Sequence, residues 1–273
     1  MQTSGVLIII GGNEDKIGDC RILREFIERC GGRKSRIAIV TTATQLPEEV
    51  GMEYKILFEL FGAEYVHVIY IADRTQANDK NLAEEFSTYT GIFLTGGDQL
   101  RLTSIIGGSA VDKAIKKNFA QGAVIAGTSA GASVMSRTMI VDGDSSETPK
   151  KSAISMAEGM GLINSVVIDQ HFAQRGRINR LLAVIAQNPN VIGVGIDEDT
   201  ALIVEPEGRC QVMGSQTVTV VDGRRIVHSN ISESSRFDPL AITNVTLHIL
   251  PEGFGYDLER RCPYVVHHQE EEK

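Results

Sequence analysis

One serine lies in a pattern typical of a catalytic nucleophile. Residues 127–131 read GTSAG, directly after the predicted strand at 123–126 and before a predicted helix. Such a turn holds its serine in a strained, exposed position, and the N–H groups of the helix can stabilise a developing oxyanion. A turn of small residues that only packs a helix on a sheet is the alternative. The strand–turn–helix context favours Ser129 as a nucleophile.

A serine nucleophile needs a base, and one of the six histidines is well placed. His171 ends the apolar run at 166–170 and precedes a predicted helix that begins near Arg175. It therefore lies at the carboxyl end of a strand, where open α/β sheets bind their ligands. The other five fall mid-strand, in a later β-rich region or in the charged tail. Capping of the next helix is the alternative role for His171.

Three consecutive acids follow a further strand: Asp197, Glu198 and Asp199. A carboxylate here would orient the imidazole and stabilise imidazolium, although three acids in a row are also typical of a solvated turn. Spacing alone does not choose among them. The chain order of serine, histidine and then acid differs from that of α/β-hydrolases, in which the acid precedes the histidine.

Two glycine pairs follow predicted strands and allow a close backbone approach. Gly96 and Gly97 follow the strand at 91–94, and Gly11 and Gly12 follow the first strand. Either loop is a candidate for a second oxyanion donor. Neither pair forms a G-x-G-x-x-G motif or a P-loop, so we expect no nucleotide role.

Charged side chains near His171 predict an acidic substrate. Arg177 and Arg180 share a helix face at this spacing, and together with Arg175 they can bind a carboxylate bidentately. A solvated basic turn is the alternative. Three acids at predicted strand ends are candidates to receive a substrate cation: Glu14, Asp98 and Asp169.

The elements that must position these residues alternate between strand and helix. Apolar runs separated by amphipathic segments predict a three-layer α/β fold with a mostly parallel central sheet and helices on both faces. After residue 190, short apolar runs joined by tight turns predict an antiparallel C-terminal extension of the same sheet. We treat 1–273 as a single domain, with an exposed loop at 145–151 and a charged tail at 267–273.

Composition excludes several classes of protein. The 35 acidic and 27 basic residues give a formal charge of −8, which argues against a nucleic-acid partner. No apolar run approaches the roughly 20 residues of a membrane helix, and residues 1–4 carry no basic signal region. We therefore expect a cytoplasmic protein without a membrane partner. The four cysteines lack ligand spacing, so we expect no metal site.

Taken together, the motifs resemble those of the cyanophycinases. These enzymes belong to the peptidase E-like serine peptidases, whose fold is similar to that of class I glutaminase domains. The matching segments occur in the family's order between residues 8 and 222: 11–15 (GGNED), 94–99 (LTGGDQ), 127–132 (GTSAGA), 169–172 (DQHF), 175–177 (RGR) and 195–198 (GIDE).

The resemblance implies a homodimeric, cofactor-free exopeptidase that hydrolyses cyanophycin, a polyaspartate with arginine on each side-chain carboxyl, to β-Asp-Arg dipeptides. It implies that Ser129 is the nucleophile, His171 the base and Glu198 the orienting acid. The N–H groups of Gly97 and Ala130 would form the oxyanion hole. The implied substrate pocket is lined by Gln99, Asp169, Gln170, Arg175, Arg177 and Arg180. An aspartyl dipeptidase with the same machinery, and a catalytically silent binding module, are the alternatives.

Overall fold

The computed structural model describes residues 4–143 and 148–266. Its strands are β1 (Leu7–Ile10), β2 (Arg36–Val40), β3 (Tyr65–Ile69), β4 (Gly91–Leu94), β5 (Val124–Thr128), β6 (Thr138–Gly143), β7 (Ile154–Glu158), β8 (Val166–Gln170), β9 (Ile192–Ile196), β10 (Thr200–Val204), β11 (Arg209–Gly214), β12 (Thr217–Asp222), β13 (Thr246–Pro251), β14 (Phe254–Asp257) and β15 (Cys262–Val265). Its α-helices are α1 (Arg21–Arg29), α2 (Pro47–Leu60), α3 (Arg74–Ala77), α4 (Lys80–Glu85), α5 (Gln99–Ile106), α6 (Ala110–Ala120), α7 (Ala130–Ser133) and α8 (Ile178–Gln187).

A nine-stranded sheet forms the centre of the molecule, in the order β15-β14-β11-β10-β1-β5-β4-β2-β3. The five strands from β1 to β3 in this order are parallel, and the remaining four join them through antiparallel pairs. The predicted α/β class and the antiparallel C-terminal extension are confirmed.

A second sheet of four strands, in the order β13-β12-β9-β8, corrects one part of the prediction. The strands after residue 190 do not all extend the central sheet, because β9, β12 and β13 belong to this second sheet. The chain passes from β8 through α8 into β9, and the two strands pair in parallel. Two parallel neighbouring strands need a connection about as long as a helix, and α8 provides it between β8 and β9.

Three apolar clusters connect the layers. Along β1, Leu7 and Ile9 face α5, α6 and the second sheet, whereas Ile8 and Ile10 face α1 and α2. This alternation is what a strand buried on both faces requires. On the outer side of the second sheet, α8 packs through a third cluster. None of the described helices is long and apolar enough to cross a membrane.

The segment after residue 129 differs from the expected helix. After the single turn of α7, the chain forms the hairpin of β6 and β7, which apolar periodicity did not predict. Residues 145–147 of the predicted loop lie outside the described residues, as does the tail at 267–273. The end of that loop is held, because Lys150 pairs with Pro239 and the Ser152 N–H donates to the carbonyl of Arg236.

Aromatic packing between α1, α2 and β4 generates a stability prediction. Phe58 is fully buried, with its ring centroid 5.5 Å from that of Phe26 and 5.3 Å from that of Phe93. We expect Phe58→Ala to lower the free energy of unfolding by about 3–5 kcal/mol, because the truncation leaves a cavity. Denaturant unfolding measures the change. Phe237→Ala, at a side chain 71% exposed, is the control, and an equal loss there would contradict the prediction.

Candidate active site

Ser129 occupies a strained turn between β5 and α7. Its backbone has φ 53° and ψ −110°, a region that non-glycine residues rarely adopt. The flanking glycines make the turn possible: a Cβ on Gly127 would lie 2.4 Å from the carbonyl oxygen of Gly131, and one on Gly131 would lie 2.1 Å from that of Leu94. The turn therefore depends on small residues on both sides of the serine.

The three predicted triad side chains form one hydrogen-bonded chain. Oγ of Ser129 lies 2.9 Å from Nε2 of His171, and Nδ1 of His171 lies 2.7 Å from Oε1 of Glu198. The second carboxylate oxygen of Glu198 accepts a hydrogen bond of 3.0 Å from the Asn13 amide. These distances are those of a nucleophile, base and orienting acid.

The structure distinguishes the three consecutive acids that spacing left equivalent. Asp197 is buried and accepts hydrogen bonds from the Ala173 N–H and the Thr217 hydroxyl. Asp199 has a left-handed backbone, with φ 47°, and accepts from the N–H of Asp15. Only Glu198 among the three contacts the imidazole.

Gly11 and Gly12 support the histidine. The N–H of His171 donates to the carbonyl of Gly11 at 2.8 Å. A Cβ on Gly12 would lie 2.3 Å from Cε1 of the imidazole, so a side chain there would displace the ring. The sequence offered this pair as an alternative oxyanion loop. Its contacts show that it packs against and hydrogen-bonds His171.

The other glycine pair lies beside the nucleophile. A Cβ on Gly96 would lie 3.5 Å from that of Ser129. Gly97 has φ 142°, and a Cβ there would lie 2.2 Å from the carbonyl oxygen of Ala43, so this turn requires glycine. Among the described residues, neither the Gly97 N–H nor the Ala130 N–H donates to a protein acceptor. Both donors are therefore available to a ligand.

Behind His171, one carboxylate holds two arginines. Asp169 is 1% exposed, and its oxygens accept from Nε of Arg180 at 2.7 Å and also from Nη2 of Arg180. Arg177 donates to the side-chain oxygen of Gln170 at 2.9 Å and lies 3.4 Å from the carboxylate of Asp169. The alternative of a solvated basic turn does not hold for Arg177 and Arg180, because both are buried. The helix also begins later than predicted, at Ile178.

The remaining candidates divide between site and scaffold. Arg175 is exposed, and in 4–143 and 148–266 its guanidinium makes no ion pair. The amide of Gln99 donates to the carbonyls of Ile140 and Val141, which ties α5 to β6.

Two of the three acids suggested for a substrate cation are buried structural groups, and the third, Asp98, is an exposed helix cap. Glu14 is buried and accepts from the hydroxyls of Tyr54 and Thr128, whereas Asp98 caps α5 and Asp169 holds the arginines. Spacing alone did not show that Glu14 and Asp169 are buried whereas Asp98 is exposed. In the part of the chain that the structure describes, no three His, Cys, Asp or Glu side chains converge as metal ligands.

Burial and hydrogen bonding act in opposite directions on the pKa of His171. Desolvation lowers the pKa of His171 below its ordinary 6.5, and the hydrogen bond to Glu198 partly offsets this effect. Hydrogen bonds from His171 and Asn13 lower the pKa of Glu198. Burial also lowers the pKa of Arg177, to about 10, so it stays charged at neutral pH. The site therefore pairs a neutral imidazole with an ionised carboxylate.

Comparison with known proteins identifies the family. The sequence profile of Peptidase family S51 matches residues 7–211. The chain belongs to this family. The cyanophycinase of Trichormus variabilis is 40% identical to it over 260 residues, which cover 95% of this chain and 87% of that protein. The cyanophycinase of Geminocystis herdmanii is 39% identical over 258 residues, or 94% and 95% of the two chains. The predicted family resemblance and the class of serine-type peptidase are confirmed.

Solved structures show the same fold at lower identity. A peptidase from an acI-B1 Actinobacterium superposes with a TM-score of 0.69 at 20% identity, covering 94% of this S51 chain and 98% of its own. A putative peptidase E protein from Listeria monocytogenes has a TM-score of 0.55 at 16% identity, with 78% and 99% coverage.

The close approach of Gly12 to the imidazole of His171 generates a prediction. We expect Gly12→Ala to displace the imidazole, because its methyl group would occupy the position of Cε1. Labelling of Ser129 by a fluorophosphonate should slow by about 100-fold or more, since a small displacement of a catalytic group is that costly. Gly253→Ala is the control, because it also has a positive φ but nothing lies within 4 Å of its added Cβ. Equal labelling of both variants would contradict the assigned role of Gly12.

Proposed function

We propose that this chain is a cyanophycinase, a serine exopeptidase that hydrolyses multi-L-arginyl-poly-L-aspartate to β-Asp-Arg dipeptides through an acyl-enzyme. One observation carries the proposal: the hydrogen-bonded chain Ser129–His171–Glu198 lies in a protein that is 40% identical to a cyanophycinase over 95% of its length. The reaction needs no cofactor, because the nucleophile, base and oxyanion donors all come from the chain.

In the first half-reaction, Oγ of Ser129 attacks the backbone carbonyl of an aspartyl residue while Nε2 of His171 takes the hydroxyl proton. The N–H groups of Gly97 and Ala130 stabilise the oxyanion. When the C–N bond breaks, the imidazolium returns its proton to the leaving nitrogen. Water then attacks the acyl ester with the same base, which regenerates Ser129. Throughout, the charge of Glu198 stabilises the imidazolium.

The arginines beside His171 suit a polymer rich in carboxylates. We assign the direct contact with a substrate carboxylate to Arg175, since its guanidinium is exposed. Gln170 and Arg177 form the adjoining wall. Asp169 and Arg180 act from behind this wall as positioning residues, because their charges are already paired and buried. Gln99 contributes by holding β6 at the edge of the site.

We further propose that the enzyme works as a cytoplasmic homodimer. Its four cysteines are free thiols, as is usual in a reducing compartment. An exposed apolar stripe on α2, formed by Met52, Ile56 and Leu60, supports self-association. The net charge of −8 argues against a nucleic-acid partner.

The substrate and the nucleophile are tested in one experiment. Purified protein incubated with cyanophycin granules should release β-Asp-Arg, identified by mass spectrometry. We expect Ser129→Ala and His171→Ala each to lower the rate by a factor on the order of 10⁴–10⁶, because both take part in the same step. Ser104→Ala, at an exposed helical serine, should behave like the wild type. Near-normal release by either triad variant would overturn the assignment.

An aspartyl dipeptidase with the same triad is the second candidate, favoured by the structural similarity to a putative peptidase E protein. A panel of Asp-X dipeptides assayed beside the polymer separates the two activities. Hydrolysis of dipeptides alone would replace the polymer as substrate and leave the triad in place. A protein that a serine-directed probe does not label would instead be a silent binding module.

The pH dependence tests the base. Because burial lowers the pKa of His171 below 6.5, the imidazole is mostly neutral at pH 6.5 and becomes protonated only at lower pH. We therefore expect kcat/KM to fall with a midpoint below pH 6.5. Glu198→Gln removes a group that raises this pKa, so its residual activity should show a still lower midpoint. A profile that stays flat to about pH 4 would exclude histidine as the base.

A further inference from the structure

The carboxylate of Glu198 is held at both oxygens, and only one of them faces the base. Oε1 lies 2.7 Å from His171, and Oε2 accepts from Nδ2 of Asn13 at 3.0 Å. The Glu198 side chain is 28% exposed, so packing alone does not fix its orientation. Gln174 accepts from the backbone N–H of Glu198 and makes no hydrogen bond with its carboxylate. Among the described residues, Asn13 is therefore the contact beyond His171 that orients the carboxylate.

The backbone around Asn13 is locked to the loop that carries the acid. The carbonyl of Gly12 accepts from the N–H of Asp199 at 2.9 Å, and the N–H of Asp15 donates to the Asp199 carboxylate at 2.8 Å. Asn13 lies between these two contacts with φ 47°, in the left-handed region that asparagine adopts more readily than most residues. Asparagine therefore suits the backbone conformation of this position, and from it the side-chain amide donates to Glu198.

We propose that Asn13 is a positioning residue, a fourth member of the chain Ser129–His171–Glu198 that keeps Oε1 of Glu198 facing the imidazole. The proposal rests on the triad proposed above. A neutral amide suits this role, because it anchors Oε2 and leaves the full negative charge to stabilise imidazolium. Charged groups near the pair include Arg175 and Arg177 beyond β8, Asp15 and Asp199 beside Asn13, and the buried Asp197.

Two substitutions separate the amide from the backbone. Asn13→Gly keeps the left-handed conformation without strain and removes only the side chain. We expect kcat to fall about tenfold with KM within about twofold, since Asn13 contacts the acid and not the substrate. Asn13→Asp places a second carboxylate against Oε2. We expect a larger fall in kcat and an acid limb of kcat/KM shifted to higher pH, because the added negative charge favours imidazolium.

A readout independent of substrate identity keeps this test distinct from that of the proposed function. The rate constant for fluorophosphonate labelling of Ser129 should fall about tenfold in Asn13→Gly, and its pH midpoint should rise in Asn13→Asp. Thermal unfolding and the final labelling stoichiometry report whether the variants are folded. Asn244→Asp, at an exposed asparagine with φ 62°, is the matched control and should leave rate and profile unchanged.

The outcomes distinguish an error in the proposed triad from an error in the proposed role of Asn13. If Ser129→Ala or His171→Ala remains active, the triad itself is wrong. If those variants are inactive while both Asn13 variants keep the wild-type rate and pH midpoint, the positioning role of Asn13 is overturned and the triad stands. If the rate falls only in proportion to the fraction of folded, labelled protein, Asn13 is merely structural and the proposal is equally overturned.

Discussion

Three consecutive backbone carbonyls at the end of β1 hold the three loops of the site together. Ile10 accepts from the N–H of Ser129 at 3.1 Å, Gly11 from that of His171 at 2.8 Å and Gly12 from that of Asp199 at 2.9 Å. Each bond joins the end of β1 to a different loop, so one short segment sets the relative positions of Ser129, His171 and the loop that carries Glu198. These are backbone bonds, and the glycines are needed because side chains at 11 and 12 would meet Asp197 and the imidazole.

The two sheets meet at this segment, and their meeting explains the chain order of the proposed triad. The nucleophile follows β5 of the central sheet, whereas His171 follows β8 of the second sheet. The acid lies in the turn by which the chain returns from β9 to β10, beside β1. The order of serine, histidine and acid is therefore a consequence of topology. It distinguishes this fold from α/β-hydrolases, in which the acid precedes the histidine.

The site combines a neutral imidazole, that of His171, with two buried, positively charged arginines, Arg177 and Arg180. Burial keeps His171 ready to accept a proton at neutral pH, and the lowered pKa of Glu198 keeps that carboxylate ionised. Next to them, the single negative charge of Asp169 faces two buried arginines. Removal of Asp169 would leave both guanidinium groups buried and unpaired, a situation that typically costs several kcal/mol. The excess positive charge suits a substrate that carries carboxylates.

The sequence by itself determined the alternation of strands and helices, the strained serine turn and the strand-end histidine, because periodicity and turn chemistry are local properties. Among Asp197, Glu198 and Asp199, spacing could not choose, since the direction of each side chain depends on a turn with Asp199 at φ 47°. The division into two sheets, the burial of Arg177 and Arg180, and the contact of Asn13 with Glu198 were decided only by tertiary structure. Each of them joins residues far apart in the chain, and such contacts depend on which strand ends the fold brings together.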